Sequence, residues 1–101
     1  MNDKELADAV VALGVGQYRD DYDDYVVFMD GKEADAYYCQ AFVRDWRVAG
    51  ALMEKVKTVE FYCVSRTGER SAVARNNGAV ADAVNESLPR AIIEACVEAL
   101  T

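Results

Sequence analysis

Residues 59–81 read Val-Glu-Phe-Tyr-Cys-Val-Ser-Arg-Thr-Gly-Glu-Arg-Ser-Ala-Val-Ala-Arg-Asn-Asn-Gly-Ala-Val-Ala. β-Branched and aromatic residues crowd 59–64, and a polar run with Thr67-Gly68 follows. Ser71–Arg75 then returns as a strand and stops at Asn76-Asn77-Gly78. Asn-Gly favours the tight hairpin turn whose two central residues both need φ > 0. The stretch therefore predicts a strand at 59–64, a turn at 65–69, a strand at 71–75 and a short third strand at 79–81. Such an antiparallel meander needs helices to cover it, which sets an α+β fold.

The flanks supply them. Ser87 is placed as an N-cap, with Pro89 in the first turn, where a missing N–H costs nothing. Ile93, Cys96, Val97 and Leu100 then form an apolar stripe, and Arg90 and Glu94 are spaced to pair on its outer side. Upstream, Asp45 caps a helix expected to run to Lys57, with Trp46, Ala49, Leu52, Met53 and Val56 on one face. Trp46 reads as a core or interface anchor. At the start, Asn2 and Glu5 have capping-box spacing, Leu6, Ala9, Val10 and Leu13 follow as a stripe, and Gly14-Val15-Gly16 stops the helix. Between these helices, Gln17–Asp24 reads as a loop. Tyr25–Met29 reads as a strand, Asp30-Gly31 as a turn and Ala34–Tyr38 as a return strand. The order is helix–hairpin–helix–meander–helix in a single domain over 1–101.

Three stretches resemble a known family: Phe42–Val56, Glu86–Leu100 and Ala12-Leu13-Gly14-Val15-Gly16. Together they are similar to small phage and prophage proteins of the "phage ABA sandwich" family. The resemblance implies a small α-β-α sandwich, helices packed on an antiparallel sheet, and a phage accessory protein in the cytoplasm of a bacterial host. It carries no catalytic residues. Residues 17–41 lie outside it and read as an acidic, tyrosine-rich, family-variable insert.

Composition excludes several chemistries. The chain has 101 residues, 52% hydrophobic and 29% charged, which excludes global disorder. It has no histidine. No Ser-His-Asp triad, Cys-His pair or His-ligated zinc site can form. Cys39, Cys63 and Cys96 are too few and too scattered for a four-thiolate zinc site, and they read as reduced cytosolic thiols. Cys63 and Cys96 fit small core positions. The polar start and the absence of an 18-residue apolar run point to a soluble protein with no membrane partner. No phosphate-binding glycine motif occurs. The expectation is a non-enzymatic protein without cofactor or metal.

The net charge of −7 is not evenly spread. Asp20, Asp21, Asp23, Asp24, Asp30, Glu33 and Asp35 face only Lys32 within 20–35, a net −6. Tyr18, Tyr22, Tyr25, Tyr37 and Tyr38 lie close by. Carboxylates can present phosphate-like charge to a basic surface, and tyrosine adds rigid contact area. The candidate partner-binding residues are thus Asp20, Asp21, Tyr22, Asp23, Asp24, Tyr25, Asp30, Glu33 and Asp35. The expected partner is a protein with a basic surface, rather than nucleic acid itself. In its sharpest form the chain inhibits a host-defence complex, anti-CRISPR-like, by nucleic-acid mimicry. The plainer reading is a solvated loop that keeps the protein soluble. An EF-hand starting at Asp21 fails, because Tyr25, Val26 and Lys32 stand where a ligand, a glycine and a glutamate are needed. As an alternative, Arg66, Arg70 and Arg75 could hold a small anionic ligand such as a nucleotide signal, and Arg44 and Arg47 could do the same. A homodimer through a flat sheet or the Trp46 face is also open.

Overall fold

The computed structural model describes residues 1–63 and 68–101, with the backbone alone at Tyr62 and Cys63. The chain folds as α1 (Asp3–Ala12), β1 (Gln17–Arg19), β2 (Asp24–Met29), β3 (Lys32–Tyr37), α2 (Cys39–Phe42), α3 (Trp46–Met53), β4 (Thr58–Cys63), β5 (Arg70–Asn76), β6 (Ala79–Asn85) and α4 (Leu88–Leu100). Two antiparallel three-stranded sheets, β1-β2-β3 and β4-β5-β6, pack with the helices into a small α+β sandwich. The expected class and order hold.

The second meander follows the pattern of residues 59–81. Register pairs Val59 with Ala74 and Ala74 with Ala81, then Phe61 with Ala72 and Ala72 with Ala83. Ala72, Ala74, Ala81 and Ala83 are buried on the face that meets α4. Four small residues let the helix axis approach the sheet closely. At the hairpin, Asn77 and Gly78 both have positive φ, 49° and 88°, as the Asn-Gly signal requires. The strand runs on to Asn85, four residues beyond the expected end at Ala81, because Ala83 continues the buried row. The expected turn at 65–69 lies partly outside the described residues, as do Arg66 and the Cys63 side chain.

Helix α4 is the centre of the fold. Ser87 caps it, its Oγ accepting from the Arg90 N–H at 3.3 Å. One side meets β5 and β6, and the other meets α3 and α1. Pro89, Ala91, Ile92, Ile93, Ala95, Cys96, Val97 and Ala99 are all buried. The apolar stripe read from the sequence is therefore only part of what is covered. Arg90 corrects the expected outer-side pair most sharply. It is 5% exposed, and its guanidinium donates to Asp3 at 3.1 Å, to the Met1 carbonyl at 2.9 Å and to Glu94.

Three local expectations change. Gln17–Arg19 is a strand, not loop, because it pairs with Asp24–Val26 across the acidic turn. Cys39–Phe42 forms a short helix that buries Phe42. The α3 helix ends at Met53 instead of Lys57, since the chain turns there and the Lys57 N–H donates to the Arg75 carbonyl at 3.1 Å. Its buried stripe is Val48, Ala49 and Leu52, which leaves Trp46 at 54% exposure and outside the core. The capping box at Asn2 and Glu5 is present, with both reciprocal hydrogen bonds made. Among the described residues, no helix is long and apolar enough to cross a membrane.

Candidate functional site: an acidic, tyrosine-lined groove

The first sheet divides the acidic segment. Tyr25 and Val27 turn toward the core and are 1% exposed, so Tyr25 belongs to the interior and not to a docking surface. Its ring stacks on the Phe42 ring, with centroids 5.0 Å apart. Its hydroxyl donates to Asp8 and accepts from Lys4 Nζ at 2.7 Å. Burial, reinforced by the bond to Asp8, pushes the Tyr25 phenol up to about 12. The Lys4 ammonium is held charged first by that tyrosine and also lies 4.1 Å from the Tyr18 ring centroid.

Several acids of the segment are matched. Asp24 receives Arg19 Nε and Nη2 at 2.7 and 2.6 Å, a bidentate pair that holds its carboxyl below the usual range. Asp23 accepts from the Tyr18 hydroxyl at 2.6 Å and lies 3.7 Å from Lys4. Asp35 pairs with Arg47 at 2.7 Å. All three cations lie outside 20–35, so their effect is absent from a local charge count. Asp20, Asp21, Asp30 and Glu33 form no ion pair among the described residues. They do not form one patch, however. Asp30 sits in the turn beyond Met29, and six residues of extended chain set it about 20 Å from Asp24.

What gathers at the other end is a groove of 520 Å³ lined by Tyr22, Asp24, Ala36, Tyr37, Tyr38, Gln40 and Ala41. Tyr22 is on the turn between β1 and β2, Tyr37 ends β3, and Tyr38 and Gln40 belong to the entry of α2. Tyr22 and Tyr38 are 65% and 68% exposed. Asp20 and Asp21 stand on the same turn as Tyr22, also exposed. Arg19 backs its wall, lying 4.6 Å from the Tyr22 ring centroid while it binds both oxygens of Asp24. Its α2 wall could not be read from the sequence, since Cys39–Phe42 is a single turn without a side-chain cap.

The arginine candidates are not brought together. Arg66 lies outside the described residues. Arg70 and Arg75 are at opposite ends of β5, and alternation puts their side chains on opposite faces. Arg75 is already paired with Glu60 at 2.9 Å. Arg44 is engaged by Asp3 and the Gln40 carbonyl, and Arg47 by Asp45 and Asp35. Arg47 holds the Asp45 carboxyl below its ordinary range. A second cleft of 490 Å³, between the Gly14–Gly16 loop and α3, is lined by this same neutralised Arg47 with Glu54 and Lys55. Cys96 is buried, and burial pushes its thiol up to about 11, as fits an inert core residue. Cys39 is a half-buried free thiol at the start of α2.

No family model, curated protein or solved structure matches the chain.

Proposed function

We propose that this protein acts by binding, and that its partner is a protein with an exposed basic surface met by the turn Asp20–Asp24 and the tyrosines beside it. The observation that carries the reading is the unneutralised charge of Asp20 and Asp21. Both are exposed, and neither has a cationic partner among the described residues, whereas Lys4, Arg19 and Arg47 are committed to other carboxylates. Like charges held this close repel, and a basic partner relieves that repulsion. Electrostatic complementarity of this kind speeds encounter and selects partners more than it adds raw affinity. A partner that normally binds nucleic acid has the matching surface. Together with the resemblance of the quoted stretches to phage sandwich proteins, this supports reading the chain as an accessory protein that opposes host defence.

The structure refines which charges to reverse. Asp23 and Asp24 hold Lys4, Tyr18 and Arg19 in place, so changing them disturbs the sheet. Asp20→Lys with Asp21→Lys touches neither pair. In affinity capture from a bacterial lysate, the wild-type chain is expected to enrich proteins with basic surfaces. The double variant is expected to lose them while its Tm stays within about 4 °C, as for surface substitutions of under ~0.5 kcal/mol. An identical captured set from both chains would contradict the reading.

A further inference from the structure

We propose that Lys4 is a latch that fixes the Asp20–Asp24 turn against α1, and that the turn's affinity for a basic partner depends on this latch even though Lys4 cancels part of the turn's charge. The affinity half rests on the basic-partner reading above, and the conformational half stands without it.

Lys4 is on α1, and its ammonium meets four groups. It donates to the Tyr25 hydroxyl of β2 at 2.7 Å and to the Asp8 carboxylate of α1 at 3.5 Å. It lies 3.7 Å from the Asp23 carboxylate in the turn and 4.1 Å from the ring centroid of Tyr18 in β1. The Tyr18 hydroxyl also donates to Asp23, at 2.6 Å. An ammonium has three donors and no acceptor, and here three oxygens and an aromatic face surround it. Among the described residues, no other ion pair or side-chain hydrogen bond joins 20–23 to an element outside the β1–β2 hairpin.

The turn needs such a hold. Asp23 has φ 50°, in the left-handed region that a side chain disfavours. The backbone of the turn secures it weakly. The Asp23 N–H donates to the Asp20 carbonyl at 3.4 Å and the Tyr22 N–H to the Arg19 carbonyl at 3.3 Å, both long for such bonds. Arg19 and Asp24 clamp the base of the hairpin and leave its tip to Lys4 and Tyr18. The tip carries Asp20 and Asp21, both exposed. Fixing Asp23 fixes the direction in which those two charges point. A turn set in advance loses less freedom when a partner binds.

Charge and positioning predict opposite signs for Lys4→Met. The substitution keeps an apolar stem, takes the net charge from −7 to −8 and leaves the Tyr25 hydroxyl its bond to Asp8. By charge alone, the variant binds a basic peptide more tightly. As a lost latch, it binds about fivefold more weakly, which is the expected result. Fluorescence anisotropy at about 0.15 M salt reads the affinity, using a fluorescein-labelled peptide of alternating lysine and glycine and a glycine–serine control. The amide nitrogen-15 heteronuclear Overhauser effect reads the turn directly. It is expected to fall at 20–23 in the variant and to hold in the other elements. Tyr18→Phe keeps the net charge and the ring beside Lys4 but removes the hydroxyl from Asp23, so both readouts should move the same way by less. Equal or tighter binding by Lys4→Met, or an unchanged Overhauser effect at 20–23, would overturn the latch and leave the basic-partner reading standing. Wild-type binding no tighter than the control would overturn that reading, and the Overhauser effect would then decide the latch alone.

Discussion

Gly16→Ala is expected to lower stability by about 2–4 kcal/mol, although it adds one methyl group. Gly16 has φ +73°, where an L side chain crowds its own carbonyl at a cost of about 1 kcal/mol. A Cβ at this position would also lie 2.7 Å from Phe42 Cζ and 2.9 Å from the Val26 carbonyl oxygen. Phe42 is fully buried and stacked on Tyr25, so its ring cannot swing away freely. Overpacking of this kind adds about 1–3 kcal/mol. For a chain of this size the total corresponds to a fall in Tm of about 10–25 °C. Gly14→Ala is the internal control. Gly14 also has positive φ, +87°, but nothing lies within 4 Å of its Cβ position, so about 1 kcal/mol is expected. Thermal unfolding of the two variants measures the difference. Equal losses would show that Phe42 yields.

Arg90→Ala is the second large effect, expected at about 3 kcal/mol. The guanidinium ties α4 to the start of α1 through Asp3, the Met1 carbonyl and Glu94. Burial opposes ionisation of Asp3, yet Arg44 and Arg90 together hold its carboxyl below the ordinary value. Removing Arg90 leaves Asp3, 24% exposed, with Arg44 at 2.9 Å, and Glu94, 28% exposed, with the N-terminal ammonium at 3.9 Å. Because both keep some water, the loss falls at the low end of the ~3–5 kcal/mol typical of a broken buried pair. Arg90→Met restores the packing of the stem but not the charge. Adding Glu94→Gln to Arg90→Met should recover part of the loss, because Glu94 is the carboxylate that loses its close partner. Urea unfolding reads all three, and a loss below about 1 kcal/mol for Arg90→Ala would mean that the ion cluster holds little.

Arg90 also marks where sequence reading reaches its limit. Spacing of three and four identifies a helix with one covered side, and charged residues are then assigned outward. Helix α4 is covered on two sides, by β5–β6 and by α1 with α3, so that inference fails for Arg90. The capping residues Asn2, Asp45 and Ser87, and the Asn77-Gly78 turn, were legible because each acts within a few residues of chain. Strand β1 was hidden because Gln17–Arg19 is polar and becomes a strand only by pairing across the turn.

The candidate site divides in the same way. The acidic segment was visible as composition. Its neutralisation by Lys4, Arg19 and Arg47 was not, since two of these cations come from α1 and α3. Tyr25 counted as a surface residue by neighbourhood, and the alternation of β2 turned it into the core. The groove itself needed α2, whose single turn sets Tyr38 and Gln40 opposite Tyr22.

The most direct measurement is a nitrogen-15 amide spectrum of the full chain, titrated with a peptide rich in lysine and arginine that stands in for the basic surface. The account predicts saturable shifts centred on the Asp20–Asp24 turn and the tyrosines beside it. Shifts centred instead on β5 and β6, around Arg70 and Arg75, would contradict it.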